Sequence, residues 1–249
     1  MLSDLTDFDI FSGILAIIYI VINFIVGFLF FNKVKQTDTQ KGIMGAMGFF
    51  VITLSSPWWP VAIQFIVFSV WDIILTAQTY LFLTYWLVPL GMILWLWVVQ
   101  ELAFKKSKKY RAFFIYSVIT CVGFYIFIMA NLFILNPDLI GTKEGYMNVT
   151  FGRTALLLSI YGLTINLISA VVFYYKVRKG TRENKLKALF MLLGFIFFTF
   201  SAVFQTAAVF EGPLSAVLLR VTAVLSSICF YFVFFLPKIL RTDTSEEVS

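Results

Sequence analysis

The sequence predicts an all-α polytopic membrane protein with seven crossings, its N-terminus outside and its C-terminus inside. Three observations lead there. Of the 249 residues, 61% are apolar and only 13% charged, about half the charged share of an ordinary soluble domain. Apolar runs recur from Phe11 to Pro237, each of about 20 residues or more, enough to cross a hydrocarbon core about 30 Å thick. The basic residues fall on alternate connections. Lipid offers no partner to a backbone amide, so the runs must be helices.

The opening MLSDLTDFD carries Asp4, Asp7 and Asp9 and no basic residue. A cleavable signal begins with a positive region, so span one, 10–32, is expected to be retained. Span two, 42–60, is thin on one side at Gly42, Gly45, Ala46 and Gly48, which favours a close neighbour. Trp58 lies about 24 Å past Gly42 and is placed at the outer interface. Pro57 and Pro60 then break the ladder. The next stretch, 61–76, cannot be a further crossing without sending the first two basic loops to opposite faces. It is read either as an outer interfacial or re-entrant helix over the bundle or as a kinked extension of span two. Asp72 at its end is better tolerated at the interface than in hydrocarbon. Spans three to seven are 77–101, 112–135, 153–175, 188–210 and 213–237.

Orientation follows from the cations, which are retained on the cytoplasmic side. One set of connections holds Lys33, Lys35 and Lys41, the cluster KKSKKYR at 105–111, the cluster KVRKGTRENKLK at 176–187, and finally Lys238 and Arg241. Together these are 16 of the 19 basic residues. Lys143 and Arg153 fall on the opposite set, and Arg220 lies inside span seven. The clusters are topology determinants first, and are of the kind attracted to anionic inner-leaflet lipids. Residues 1–241 form the transmembrane domain, and 242–249, TDTSEEVS, form a short polar tail too poor in apolar area to fold. Asn148 and Thr150 complete an N-x-T sequon on the predicted outer loop, so glycosylation there is geometrically allowed.

The octets GFFVITLS (48–55) and GFIFFTFS (194–201) share Gly, Phe, Thr and Ser at the same four places. Upstream, residues 23–35 align without a gap with 166–178, pairing Asn23 with Asn166 and Lys35 with Arg178. The pattern suggests parallel repeats, 10–101 and 153–237, with 112–135 as the linker helix that restores direction. Chance alignment of Phe-rich helices is the competing account.

A three-plus-one-plus-three plan resembles the seven-helix architecture of rhodopsins and receptor-like sensors, and that of the SWEET and PQ-loop transporters with their parallel repeats. The resemblance spans the whole chain but rests on helix number, orientation and repeat order. The middle of span seven reads TAVLSSIC (222–229), with no lysine for retinal. Span three ends Gln100, Glu101, Leu102 where G-protein-coupled receptors have an acidic-Arg-aromatic triplet, and span seven ends FFLPK (234–238) in place of Asn-Pro-x-x-Tyr. No Pro-Gln dipeptide occurs. Bare seven-helix modules of this kind are fused to kinases in microbial sensors; here output is expected through a separate cytosolic partner.

Polar groups inside the bilayer are the site candidates, because their burial costs free energy. Arg220 lies about 10 Å below the outer surface, seven residues past Pro213. With Gln205 and Asp72 it is read as lining an outward-facing pocket for a small polar or anionic ligand; the alternative is a fixed ion pair, with Glu211 a further partner, or contact with headgroups. Asn23 and Asn166 are read as helix glue or as part of a transport path. Thr53, Ser55, Thr199 and Ser201 are expected to satisfy their own helix carbonyls.

Histidine is absent, which removes His-ligated haem, His-based zinc and every Ser/His or Cys/His pair. No second intramembrane carboxylate accompanies Asp72. No enzyme, metal, cofactor or nucleic-acid partner is therefore expected. Cys121 and Cys229 lie deep in apolar runs and are read as packing residues. The leading expectation is a receptor-like or sensory protein of the plasma membrane that binds a small or lipidic ligand. The alternatives are a small-solute transporter built on parallel repeats and a structural protein that self-assembles into homo-oligomers.

Overall fold

The computed structural model describes residues 5–34, 41–206 and 213–235. Six of its helical stretches are long and apolar enough to cross a membrane, and Val217–Val233 adds a shorter apolar helix. Lys35, Lys238, Arg241, Glu211 and the tail lie outside the described residues.

Span one is α1 (Asp7–Val34). Thr6 and Asp9 form a reciprocal cap at its start: the Thr6 amide and hydroxyl donate to Asp9 Oδ2 at 3.1 and 2.6 Å, and the Asp9 amide donates to Thr6 Oγ1 at 3.2 Å. These bonds satisfy donors that the first helical turn leaves open, and the carboxylate sits at the positive end of the helix dipole. Gly13, Ala16, Tyr19, Asn23, Val26, Gly27 and Phe30 are its buried stripe, at the three-and-four spacing of one helix face.

Span two is one 31-residue stretch, Lys41–Trp71. Helix α2 (Lys41–Leu54) passes through a tight 3-10 turn at Ser56–Trp58 into α3 (Trp59–Trp71). The segment 61–76 therefore does not lie over the bundle: its helical part, to Trp71, extends span two. The reason is where the prolines fall. Pro57 and Pro60 each occupy the first turn of a helical piece, where a missing N–H leaves no extra bond unmade, and Ser55, Trp58 and Trp59 keep right-handed helical dihedrals. The glycines record the register. A Cβ on Gly13 would strike the Phe65 ring, and one on Gly27 would come within 3.0 Å of the Gly48 carbonyl oxygen. Span one thus runs antiparallel to span two along both α2 and α3. Trp58 is 1% exposed, enclosed by the neighbouring helices.

Asp72 ends α3 in the left-handed region, at φ 56°, its amide donating to Phe68 O at 3.0 Å. Span three, Ala77–Ala103, is also broken. Helix α4 (Ala77–Tyr85) yields at Trp86–Leu87 to α5 (Val88–Ala103), again with a proline, Pro89, in the first turn of the second piece. Span four is α6 (Lys108–Phe133), capped by Ser107 Oγ, which accepts from the Tyr110 amide at 3.2 Å. Between it and span five a two-stranded hairpin forms, β1 (Gly141–Glu144) and β2 (Asn148–Phe151). Gly145, at φ 68°, supplies the left-handed turn residue that glycine adopts without strain. The sequence suggested only a loop there. The stretches expected as spans five, six and seven are α7 (Arg153–Val177), α8 (Arg182–Thr206) and α9 (Pro213–Phe234).

Neighbours in space run one–two–three–five–six–seven and back to one, with α6 outside against spans three and five. At the centre four rings meet. Trp95 lies 4.4 Å from Phe195, which lies 5.1 Å from Phe230, and Phe50 touches all three at 5.4–5.8 Å. The Trp95 indole N–H donates to Ser169 Oγ at 2.6 Å, so an apolar ring is buried with its polar atom satisfied. The outer faces carry exposed Ile119, Ile126 and Leu157, apolar side chains at home in lipid.

Candidate functional site

The two broken spans face one another, and the break leaves space. A cavity of about 110 Å³ lies between spans two, three, five and six. Pro57 and Trp58 come from the turn in span two, Tyr85 and Val88 flank the break in span three, and Phe124 of α6 and Phe151 of β2 also contribute. Gly91 and Gly162 supply bare backbone to the wall. No Asp, Glu, Lys or Arg is among the lining residues.

The polar groups of the wall are few. Thr53, Thr84 and Ser159 donate their hydroxyl protons to the carbonyls of Phe50, Tyr80 and Ala155 at 2.7–2.9 Å. Each keeps only lone pairs for the cavity. Asn166, near the middle of α7, is 6% exposed, and its Oδ1 has no hydrogen-bond partner. One buried amide oxygen is thus left unsatisfied. Leaving such a group unmade costs about 1–3 kcal/mol.

Asn23, matched to Asn166 in the sequence, has a different fate. Its Nδ2 donates to Tyr19 O at 2.8 Å, and its Oδ1 accepts from Ser227 Oγ at 3.0 Å, tying span one to span seven. Asn23 is helix glue and Asn166 faces the cavity. Of the octet hydroxyls, Thr53 and Ser55 bond their own helix, to Phe50 O and Ile52 O. Ser201 instead donates across to Leu219 O at 2.7 Å, and Thr199 Oγ1 is buried without a partner.

The three residues expected to line a pocket are placed differently. Arg220 is 4% exposed, with its guanidinium 5.3 Å from the Trp58 ring centroid. Arg220 is not among the residues that line the cavity. Trp58, which also meets Tyr19 edge-on at 4.9 Å and Phe198 at 6.1 Å, is the wall between them. A desolvated cation over an indole face gains about 2 kcal/mol, which contributes to holding this arginine inside the bundle. Asp72 is exposed at the end of α3, outside the cavity wall, and makes no described contact with Arg220. The side chain of Gln205 lies outside the described residues.

A residue the sequence reading passed over organises the hairpin end. Gln64 of α3 is fully buried. Its Oε1 accepts from the Leu75 amide and from Lys143 Nζ, both at 2.8 Å, and its Nε2 donates to Ile73 O at 3.1 Å. Lys143 also donates to Leu75 O at 2.8 Å and lies over the Tyr80 ring, while Tyr80 OH donates to Met147 O at 2.8 Å. Partial burial holds the Lys143 ammonium below the ordinary lysine range, because desolvation disfavours the charged form. The signal was present as one amide in an apolar helix, but its partners lie up to 79 residues away. Gln64→Leu removes the shared acceptor and is expected to release the hairpin, seen as at least tenfold faster amide exchange over 141–151. Unchanged exchange would show that strand pairing alone holds it.

Among the described residues no cluster of three or more metal-ligating side chains occurs. Cys121 and Cys229 are buried and free. No protein-family model, curated protein or solved structure matches the chain.

Proposed function

We propose that the chain is a receptor-like or sensory protein with seven spans, N-terminus outside, that takes a small ligand into the bundle and signals through a separate partner at its basic end. The observation that carries this reading is the uncharged cavity between two proline-broken helices. A ligand there would touch Pro57 and Trp58 on one break and Tyr85 and Val88 on the other. A 3-10 turn inside a helix, as at Ser56–Trp58, often marks a hinge. An occupant that fits one bend angle better than another shifts the population of the two. Both spans end in basic loops, where Lys41 begins span two and Lys105 follows span three, so a changed bend would move the surface a cytosolic partner meets. The plasma membrane is the proposed location.

An apolar wall favours detection over transport. A charged or strongly polar solute would pay heavily to enter such a cavity, and a lipid-soluble molecule crosses the bilayer unaided. The test uses the chain in lipid nanodiscs with a solvent-sensitive fluorophore on Lys106→Cys, the native cysteines being buried. Saturable emission change on adding 4-methylphenol is expected. Saturable binding with no emission change would contradict signalling through the basic end and favour a structural role.

A further inference from the structure

We infer that the cavity selects an uncharged, ring-sized apolar molecule that carries one hydrogen-bond donor, and that Asn166 is the residue that recognises the donor. The inference rests on the ligand-binding reading above and specifies the ligand's class. Charge is excluded by the wall, which holds no ionisable acid or base to pair with it and would leave an ion desolvated and alone. Size follows from volume. The cavity measures about 110 Å³, less than the about 150 Å³ of an apolar cavity that takes benzene in another protein, so the occupant is limited to one small ring. Flat faces are offered by Phe50, Trp58, Phe124 and Phe198, suited to offset or edge-on contact with an aromatic ring.

The donor requirement comes from counting protons. Thr53, Thr84 and Ser159 have each committed their hydroxyl hydrogen to a carbonyl of their own helix. They can accept a bond from a ligand but cannot give one in this arrangement. Asn166 adds a carbonyl oxygen with no partner. The Tyr85 hydroxyl stands 3.5 Å from Ser159 Oγ, at the outer limit of a bond. The free donors on this wall, the two Asn166 amide N–H protons and the weakly held Tyr85 hydroxyl, are fewer than its acceptor lone pairs, and a ligand lacking a donor would bury the Asn166 oxygen still unsatisfied. A phenol, a compact alcohol or a ring N–H meets the requirement; an ether or a hydrocarbon of the same shape does not.

The probes are 4-methylphenol and 4-methylanisole, which share a ring and differ in whether the oxygen can donate. In nanodiscs, with empty nanodiscs subtracted, 4-methylphenol is expected to bind saturably and about tenfold more tightly, the effect of one satisfied buried bond. Asn166→Leu is expected to bring that ratio to about one and to raise the melting temperature by a few degrees, since it removes an orphaned amide. Asn166→Ala provides the same binding comparison if the leucine variant does not fold. Equal binding of both probes by the unaltered chain, or a preference that survives the substitutions, overturns the donor class and leaves the binding cavity standing. Failure of both probes to bind saturably, or binding that persists unchanged in Gly162→Leu, where the new side chain must displace Met92 from the cavity wall, overturns the cavity reading together with the inference.

Discussion

Gly48→Val is expected to lower stability by about 3 kcal/mol, the upper part of the range for overpacking a tight interface. The Gly48 Cα sits where span two presses against span one. A Cβ there would lie 3.0 Å from the Gly27 carbonyl oxygen and 2.7 Å from the Phe31 ring. Phe31 can turn aside, but the backbone of α1 can yield only by moving the helix. The contact is reciprocal, because a Cβ on Gly27 would meet the Gly48 oxygen at the same 3.0 Å. Close backbone approach of this kind drives helix association where lipid removes the hydrophobic incentive. Gly45 sits nearly one turn earlier on the same helix with nothing within 4 Å of an added Cβ. Gly45→Ala is therefore expected to stabilise by about 0.5–1 kcal/mol through helix propensity alone. Unfolding in mixed micelles measures both, and loss of stability at both sites would mean that span one does not pack as described.

Trp58→Ala is expected to cost about 3–5 kcal/mol, the range for deleting a buried large aromatic side chain. Its ring touches Tyr19, Phe198 and the Arg220 guanidinium, so truncation both opens a void and strips the arginine of its aromatic face. Trp58→Phe keeps a ring in the wall and should recover more than half of the loss. An alanine variant as stable as the parent would show that Trp58 is not the partition between Arg220 and the cavity.

Much of the helical frame was legible because the bilayer leaves few options. A run of apolar residues in lipid must close its own hydrogen bonds, so spans could be bounded from composition, and outside span two, which runs on to Trp71, the described ends differ by six residues or fewer. The path of 61–76 was not legible. Proline reads as a helix breaker, and only the structure shows Pro57 and Pro60 falling in first turns that tolerate them. The burial of Trp58 was not legible either, because an indole near a span end also suits an interface, and only the structure shows the whole side chain enclosed within the bundle. The matched octets agree in letters more than in faces. Phe49 is 56% exposed where its counterpart Phe195 is fully buried, and Phe50 is 1% exposed where Ile196 is 43%.

The site was the least legible part. Arg220 stood out as a cation within an apolar helix, and it is indeed buried. The cavity, however, lies against two helix breaks, with Thr53 and Met92 packed onto the bare backbone of Gly91 and Gly162, and such a shape leaves no motif. Asn166 was singled out as half of a symmetric pair. Its importance lies in the asymmetry: a serine on span seven satisfies Asn23, and no described group satisfies the Asn166 oxygen.

The most direct test of the ligand-binding cavity is a structure of the chain determined in its native lipid. The proposed reading predicts compact density bounded by Trp58, Met92 and Asn166, within hydrogen-bond distance of the Asn166 amide. A closed wall, with the amide bonded to a neighbouring helix and no space between spans two and five, would contradict it.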